Sequence, residues 1–250
     1  MKIKVYSKPH TMFAALYLCQ QLDKLGHDAT VVKSINRNDD TLHIIYNANA
    51  CPAIPPNYIV YQTEVPGSTW FNGRYYDIIQ GAKAVWDYSA SNMQAYDRYN
   101  SNIAIVSPGA FPQTTGVKDI PYLFYGHVSA GNRRSTMLQE LKKVLPLTII
   151  TNKMEADMWQ ILARTQVVIN LHYYRNAPLE QFRVCEALSF GCHVVSERSV
   201  SGDADYSDVV QFGDIKELAG IAKTLRQKPF TSYLSRFNNL EQIRRGISIL

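Results

Sequence analysis

Residues 179–197 read LEQFRVCEALSFGCHVVSE, and the fold turns on this stretch. From Leu179 to about Ser189 the apolar residues Val184, Ala187 and Leu188 recur at helical spacing, and Gly191 stands where a helix stops. The apolar run HVVS follows at once and ends on Glu197. A helix feeding directly into a short apolar strand is half of a βαβ unit, whose strands are parallel and buried. Glu180, Arg183 and Glu186 lie three apart, near one another on one side of that helix. Three carboxylates, those of Glu180, Glu186 and Glu197, therefore flank the loops and ends of one buried helix and strand.

The same alternation extends in both directions. MKIKVYS, the breaker KPHTM, the helix FAALYLCQQLDKL, Gly26 and the strand DATVVKS form a βαβ unit at the start of the chain. Strands are expected in TLHIIYN and NYIVYQTE, a helix in RYYDIIQGAKAVW and a strand in SNIAIVSPG. PGAFPQTTGVKDIP, residues 108–121, holds three prolines and two glycines and reads as a linker. Beyond it the pattern restarts: strand YLFYGH, helix NRRSTMLQELKKVL, strand LTIIT, helix EADMWQILART, strand VVINLHYY, then the helix and strand quoted above and a helix in IKELAGIAKTLRQ. The expected organisation is a Rossmann-like domain at 1–114, a second at 115–230, and a C-terminal helix at 231–250 that can cross back to the first domain. The fold class is α/β.

Bulk properties set the limits. A chain of 250 residues that is 46% hydrophobic can bury a core. It has no apolar run of about 18 residues, so no membrane span is expected, and MKIKVYS reads as a strand rather than a signal peptide. Cys19, Cys51, Cys185 and Cys192 show no CxxC spacing, which points to reduced thiols in a cytoplasmic protein without zinc. A net charge of +5 suits a protein that handles phosphates but makes no nucleic-acid footprint.

In doubly wound sheets, ligands meet the carboxyl ends of the strands, and two facing halves place the site in the cleft between them. The loop GHVSAGNRR, from Gly126 to Arg134, leads into a helix whose first N–H groups and positive dipole end can hold an anion, with Arg133 and Arg134 on a diphosphate. The same residues also fit a solvated basic helix start capped by Asn132. Glu180 and Glu186 can accept the paired hydroxyls of a sugar; a structural Glu180–Arg183 pair on an exposed face is the alternative. His172, after the strand VVINL, can contact phosphate or a hydroxyl, or serve only as a satisfied polar residue. In the first half, Glu64 and His10 follow strands and are candidate general bases, turn capping being the other reading of Glu64. Trp70, Phe71, Tyr75, Tyr76, Trp86 and Tyr88 can stack on a sugar, although most are expected in the core.

EALSFGCHVVSE resembles the segment of GT-B glycosyltransferases in which Glu-Ala, a small-residue turn and an apolar strand form the nucleotide-sugar pocket. VVINLHYYRNAPLEQFRVCEAL is similar to the C-terminal half of compact bacterial and viral members. YQTEVPGS, AKAVWDYSASNMQAY and IVSPGAFP resemble their N-terminal half, and YLFYGHVSAGNRRSTMLQEL resembles their diphosphate loop. The resemblance spans residues 58–215 and implies a GT-B architecture of two Rossmann-like domains facing a cleft. It also implies a UDP- or GDP-linked sugar as donor, with no cofactor and no metal required. In that scheme Gly126, Arg133 and Arg134 hold the diphosphate, Lys153 substitutes for a basic residue, and Glu186 takes the ribose. His172 and Glu180 lie by the transferred sugar, with Tyr173 and Arg183 in the same donor-binding set. No Asp-x-Asp motif follows a strand, and Asp39-Asp40 sits in a polar turn. Two departures leave retention or inversion open: Glu180 and Glu186 are six apart where the family has eight, and its Arg-x4-Lys pair is missing.

The expectation is thus sugar transfer from a nucleotide donor to a hydroxyl, on a glycan first of all. A DNA acceptor, a non-catalytic glycan-binding scaffold and a sugar-nucleotide epimerase are the competing readings.

Overall fold

The computed structural model describes residues 1–231 and 234–250. The chain forms two compact units, residues 1–109 with 238–250, and residues 110–237.

The first unit carries β1 (Lys2–Tyr6), α1 (Met12–Lys24), β2 (Asp28–Val32), β3 (Leu42–Tyr46), β4 (Tyr58–Gln62), α2 (Gly73–Gly81), β5 (Ala84–Asp87) and β6 (Ile103–Ile105). All six strands are parallel, in the order β2-β1-β3-β4-β5-β6. LHIIY and YIVYQ are buried at every position, as central strands covered on both faces must be. Helix α1 buries Ala15, Leu18 and Leu22, spaced three and four apart.

The expected helix over RYYDIIQGAKAVW is half helix and half strand. Helix α2 ends at Gly81, and Ala84–Asp87 becomes β5, its four residues fully buried between β4 and β6. A short apolar run has no periodicity to separate strand from buried helix, and here the ladder decides. Its last residue, Asp87, accepts from Gln62 Nε2 (3.1 Å), the Ser89 amide (2.8 Å), Asn92 Nδ2 (3.0 Å) and the Tyr96 hydroxyl (2.7 Å).

The second unit carries β7 (Ile120–Tyr125), α3 (Arg133–Val144), β8 (Leu147–Ile150), α4 (Glu155–Ala163), β9 (Thr165–Asn170), α5 (Gln181–Ser189), β10 (His193–Glu197), α6 (Asp203–Tyr206), β11 (Val210–Gly213) and α7 (Ile215–Arg226). Its five parallel strands run β11-β10-β9-β7-β8. Strand β9 stops at Asn170, so His172 lies beyond the strand as the VVINL reading expected, and the strand does not continue over His172 to Tyr174 as the longer VVINLHYY reading had it. Strand β11 and helix α6 were not foreseen. Phe124, Leu138, Leu141, Val167, Ile169, Val195, Leu218 and Ala222 form the core under α3 and α7.

The last helix, α8 (Leu240–Ser248), belongs to the first unit, where it packs on β6 and α1. Gly246 lets it approach Trp86: a Cβ there would stand 2.7 Å from the indole, whose Nε1 donates to the Gly246 carbonyl at 3.3 Å. Ser232 and Tyr233, within the helix expected at 231–250, lie outside the described residues. Among the described residues no helix is long and apolar enough to cross a membrane.

Candidate functional site

In the second sheet the strand order reverses between β7 and β9, and the carboxyl edge at such a switch point is where doubly wound sheets take ligands. Gly126 ends β7 with φ +132°, and a Cβ on it would stand 2.8 Å from Arg183 Nη2. The position therefore takes glycine for both backbone and space.

Beside it, Glu180 gathers charge. Its Oε1 accepts from Arg134 Nη2 (2.7 Å) and the Tyr173 amide (3.2 Å), and its Oε2 pairs with Arg183 Nη1 at 2.5 Å. Burial alone would raise this carboxyl, but Arg183 and Arg134 outweigh it and hold it below the usual range. Arg134 is 2% exposed, lies against the Phe124 and Tyr173 rings, and also donates to the carbonyls of Leu171 (2.6 Å) and His127 (2.9 Å). Desolvation, helped by Arg183, lowers its pKa to about 10. Arg183 further donates to Asn170 Oδ1 at 2.8 Å. Both guanidinium groups expected near the donor are thus committed to protein acceptors. Arg134 is a brace inside the wall, buried rather than on the surface, and the Glu180–Arg183 pair is largely buried rather than exposed.

Arg133 faces another way. It forms a two-pronged pair with Glu197, Nη1 to Oε1 at 3.0 Å and Nη2 to Oε2, and Glu197 also accepts from the His172 amide. The N-terminus of α3 is capped by Asn132, which accepts from the Ser135 amide at 2.8 Å. His172 is 3% exposed, with its Nδ1 3.9 Å from Glu180 Oε1. Burial lowers its pKa, against the opposing pull of Glu180 and Glu197. Lys153 stands exposed in the loop after β8.

Glu186 is half-buried in the second turn of α5. Its Oε2 lies 2.8 Å from the Tyr125 hydroxyl, and its Oε1 accepts from Trp159 Nε1 at 2.9 Å. Desolvation raises its pKa, with Trp159 and Tyr125 opposing. Neither partner was singled out from sequence. The signal available was parity: Tyr125 is one residue on from the core residue Phe124, so it faces the opposite side of the sheet, where α5 packs. The structure thus gathers Gly126, Arg134, Tyr173, Glu180 and Arg183 into one network, with Arg133 and Glu197 joined to it through His172, and Glu186 joined through Tyr125, whose hydroxyl lies 3.2 Å from the Arg183 carbonyl and whose ring the Arg183 guanidinium covers.

The first unit has its own carboxyl edge. His10 is exposed on a short 3-10 turn, Pro9–Thr11, after β1. Glu64 is half-buried after β4; burial raises its pKa and a hydrogen bond from Asn49 opposes this. The Gln62 side chain clips the Glu64 backbone, donating to its carbonyl at 2.9 Å and accepting from its amide at 2.5 Å. Thr11 Oγ1 bonds Asn47 Oδ1 (2.8 Å) and Asn47 Nδ2 donates to Thr63 Oγ1 (3.1 Å), tying the loops that carry the two residues. Of the expected aromatic platform, Phe71, Tyr75, Trp86 and Tyr88 are buried, and Trp70 is 51% exposed. Among the described residues no group of three His, Cys, Asp or Glu side chains is placed to hold a metal ion.

No protein-family model matches the chain, and no curated protein matches it in sequence. Solved structures do match in fold. HepE from Anabaena, crystallised with UDP and glucose, is 13% identical with a TM-score of 0.62, the match covering 100% of both chains. An alpha-glucosyltransferase solved with UDP-glucose and DNA containing an abasic site is 12% identical with a TM-score of 0.58, covering 99% of each chain. The likeness assigns the GT-B fold that the sequence resemblance implied.

Proposed function

We propose that this chain is a glycosyltransferase that moves a sugar from a nucleoside-diphosphate donor to a hydroxyl acceptor. One observation carries the reading. Beside the switch point of the second sheet stands Glu186, a half-buried carboxylate held by Tyr125 and Trp159, with remaining lone pairs for the two hydroxyls of a ribose. Fold neighbours solved with UDP or UDP-glucose make UDP the first nucleotide to try, ahead of GDP. The diphosphate lies over the Gly126 loop, with the exposed Lys153, and Arg133 if it is released from Glu197, as candidate cations, and the sugar lies towards His172 and Tyr173.

In the reaction, the acceptor oxygen forms a bond to the anomeric carbon, and the bond from that carbon to the diphosphate breaks. The hydroxyl proton passes to a base, and the diphosphate leaves with the bonding pair. Glu64 is the first choice of base, because burial raises its proton affinity, and His10 the second. All four cysteines are buried thiols, which fits a reducing compartment and a cytoplasmic location. A glycan is the proposed acceptor. The second reading, a DNA acceptor, draws on the alpha-glucosyltransferase structures solved with DNA and predicts steep salt-dependent retention on a DNA column.

A thermal-shift titration with UDP, GDP, ADP, CMP and dTDP tests the donor site. A ligand that binds only the folded state raises the melting temperature by mass action. A shift with one diphosphate that disappears in Glu186→Ala supports the reading; no shift with any of the five sinks it.

A further inference from the structure

A cavity of 360 Å³ opens at the carboxyl ends of β9 and β10, walled by Arg133, His172, Arg175, Asn176, Glu197 and Arg198 among others. Both ring nitrogens of His172 are buried there and have no hydrogen-bond partner among the described residues. A neutral imidazole offers one donor and one acceptor, and leaving both unmet in the interior is costly. His172 lines the cavity, so a small rotation of the ring brings a nitrogen to its occupant.

The charges around it are uneven. Glu197 already accepts two hydrogen bonds from Arg133 and one from the His172 amide. Arg175 and Arg198 are exposed, and neither has an ion pair among the described residues. At the switch point, by contrast, Glu180 engages both Arg134 and Arg183. Apart from Lys153 after β8, the uncommitted positive charge of these loops thus stands at the ends of β9 and β10.

Strand spacing says which part of a donor reaches that far. With the ribose at Glu186, beside β7, and the diphosphate over the β7–β9 switch point, each further strand adds about 4.8 Å. The ends of β9 and β10 then fall to the sugar. We propose that this cavity receives a sugar bearing a carboxylate, a uronic acid, with Arg175 and Arg198 on the carboxylate and His172 on a ring hydroxyl. Planar guanidinium forks suit a carboxylate, and an imidazole can both give and take a hydroxyl hydrogen bond. The assignment rests on the donor reading above, and the uronate belongs either to the donor or to the acceptor.

Calorimetric titrations of the wild type and an Arg175→Ala/Arg198→Ala double variant test it, with UDP, UDP-glucose, UDP-glucuronate, free glucuronate and free glucose. Both replaced side chains are exposed, so the variant is expected to fold. If the donor carries the acid, UDP-glucuronate binds about tenfold to a hundredfold tighter than UDP-glucose, as charge-assisted contacts of this kind allow, and the advantage vanishes in the variant while UDP is unaffected. If the acceptor carries it, the two UDP-sugars bind alike, and free glucuronate outbinds glucose only in the wild type. Glucuronate preference without any UDP binding keeps the cavity assignment and removes the donor reading. The proposal falls if glucuronate is never preferred over glucose, free or UDP-linked, or if the variant weakens UDP as much as UDP-glucuronate, since the cavity would then hold the diphosphate.

Discussion

Arg134 and Glu180 meet at 2.7 Å against the Tyr173 ring, and the arginine is 2% exposed. Removing one partner of such a pair strands the other. Glu180→Ala, which abandons Arg134 and Arg183 together, is expected to cost about 3–5 kcal/mol of unfolding free energy. Arg134→Met is expected to cost less, because Glu180 keeps Arg183 and the Tyr173 amide. Urea unfolding of both variants checks the order, and equal losses contradict it.

The same carboxylate makes stability pH-dependent. Its folded pKa is depressed, so its contribution is fully present above the unfolded value of about 4.3 and is lost as pH falls through the folded value. Wild-type stability should therefore fall more steeply below pH 4.3 than that of Glu180→Gln, measured as urea midpoints against pH.

His172 acts in a different window. Burial lowers its folded pKa, so below the unfolded value of about 6.5 the unfolded chain takes up a proton that the folded chain resists. Its penalty is absent well above pH 6.5 and grows as pH falls from there towards the folded value. His172→Asn should flatten the stability profile between pH 6.5 and 5; an unchanged slope would show that the ring is not held neutral.

Desolvation raises the Glu186 pKa against Trp159 and Tyr125, so folding disfavours its anion relative to a neutral side chain. A glutamine can still accept from Trp159 and can donate to the Tyr125 hydroxyl. Glu186→Gln is expected to gain about 0.5–2 kcal/mol at pH 7 while losing nucleotide affinity, the usual opposition of stability and function. Thermal melts with and without UDP read both effects.

Two helical glycines should respond in opposite ways. Gly220 in α7 has open space where a Cβ would go, so Gly220→Ala gains about 0.5–1 kcal/mol from helix propensity alone. Gly246→Ala drives a Cβ to 2.7 Å from the Trp86 indole and loses about 1–3 kcal/mol despite the better propensity.

What sequence could and could not show follows from the range of the forces involved. Both α/β alternations were legible because burial imposes local patterns, as in LHIIY and YIVYQ, and glycines such as Gly191 punctuate them. The end of α2 was not, since AVW is apolar throughout and only its neighbours β4 and β6 make it a strand. Glu180 was identified, but its partner Arg134 lies 46 positions away and looked like a surface cation. Arg133 and Arg134 are adjacent in sequence and diverge to Glu197 and Glu180, a difference of about 100° around a helix that no local count weighs. Trp159 at Glu186 is likewise a long-range meeting, invisible to spacing.

Because α8 completes the first unit after the whole second unit has intervened, the order of synthesis differs from the order of assembly. Residues 110–237 leave the ribosome as an uninterrupted unit, free to fold at once. The first unit must wait with the Trp86 side of its sheet uncovered until Ile243 and Gly246 emerge. A nascent chain stalled before residue 238 would therefore display a finished second unit and an unfinished first one, and chaperones that read exposed apolar surface would meet the latter.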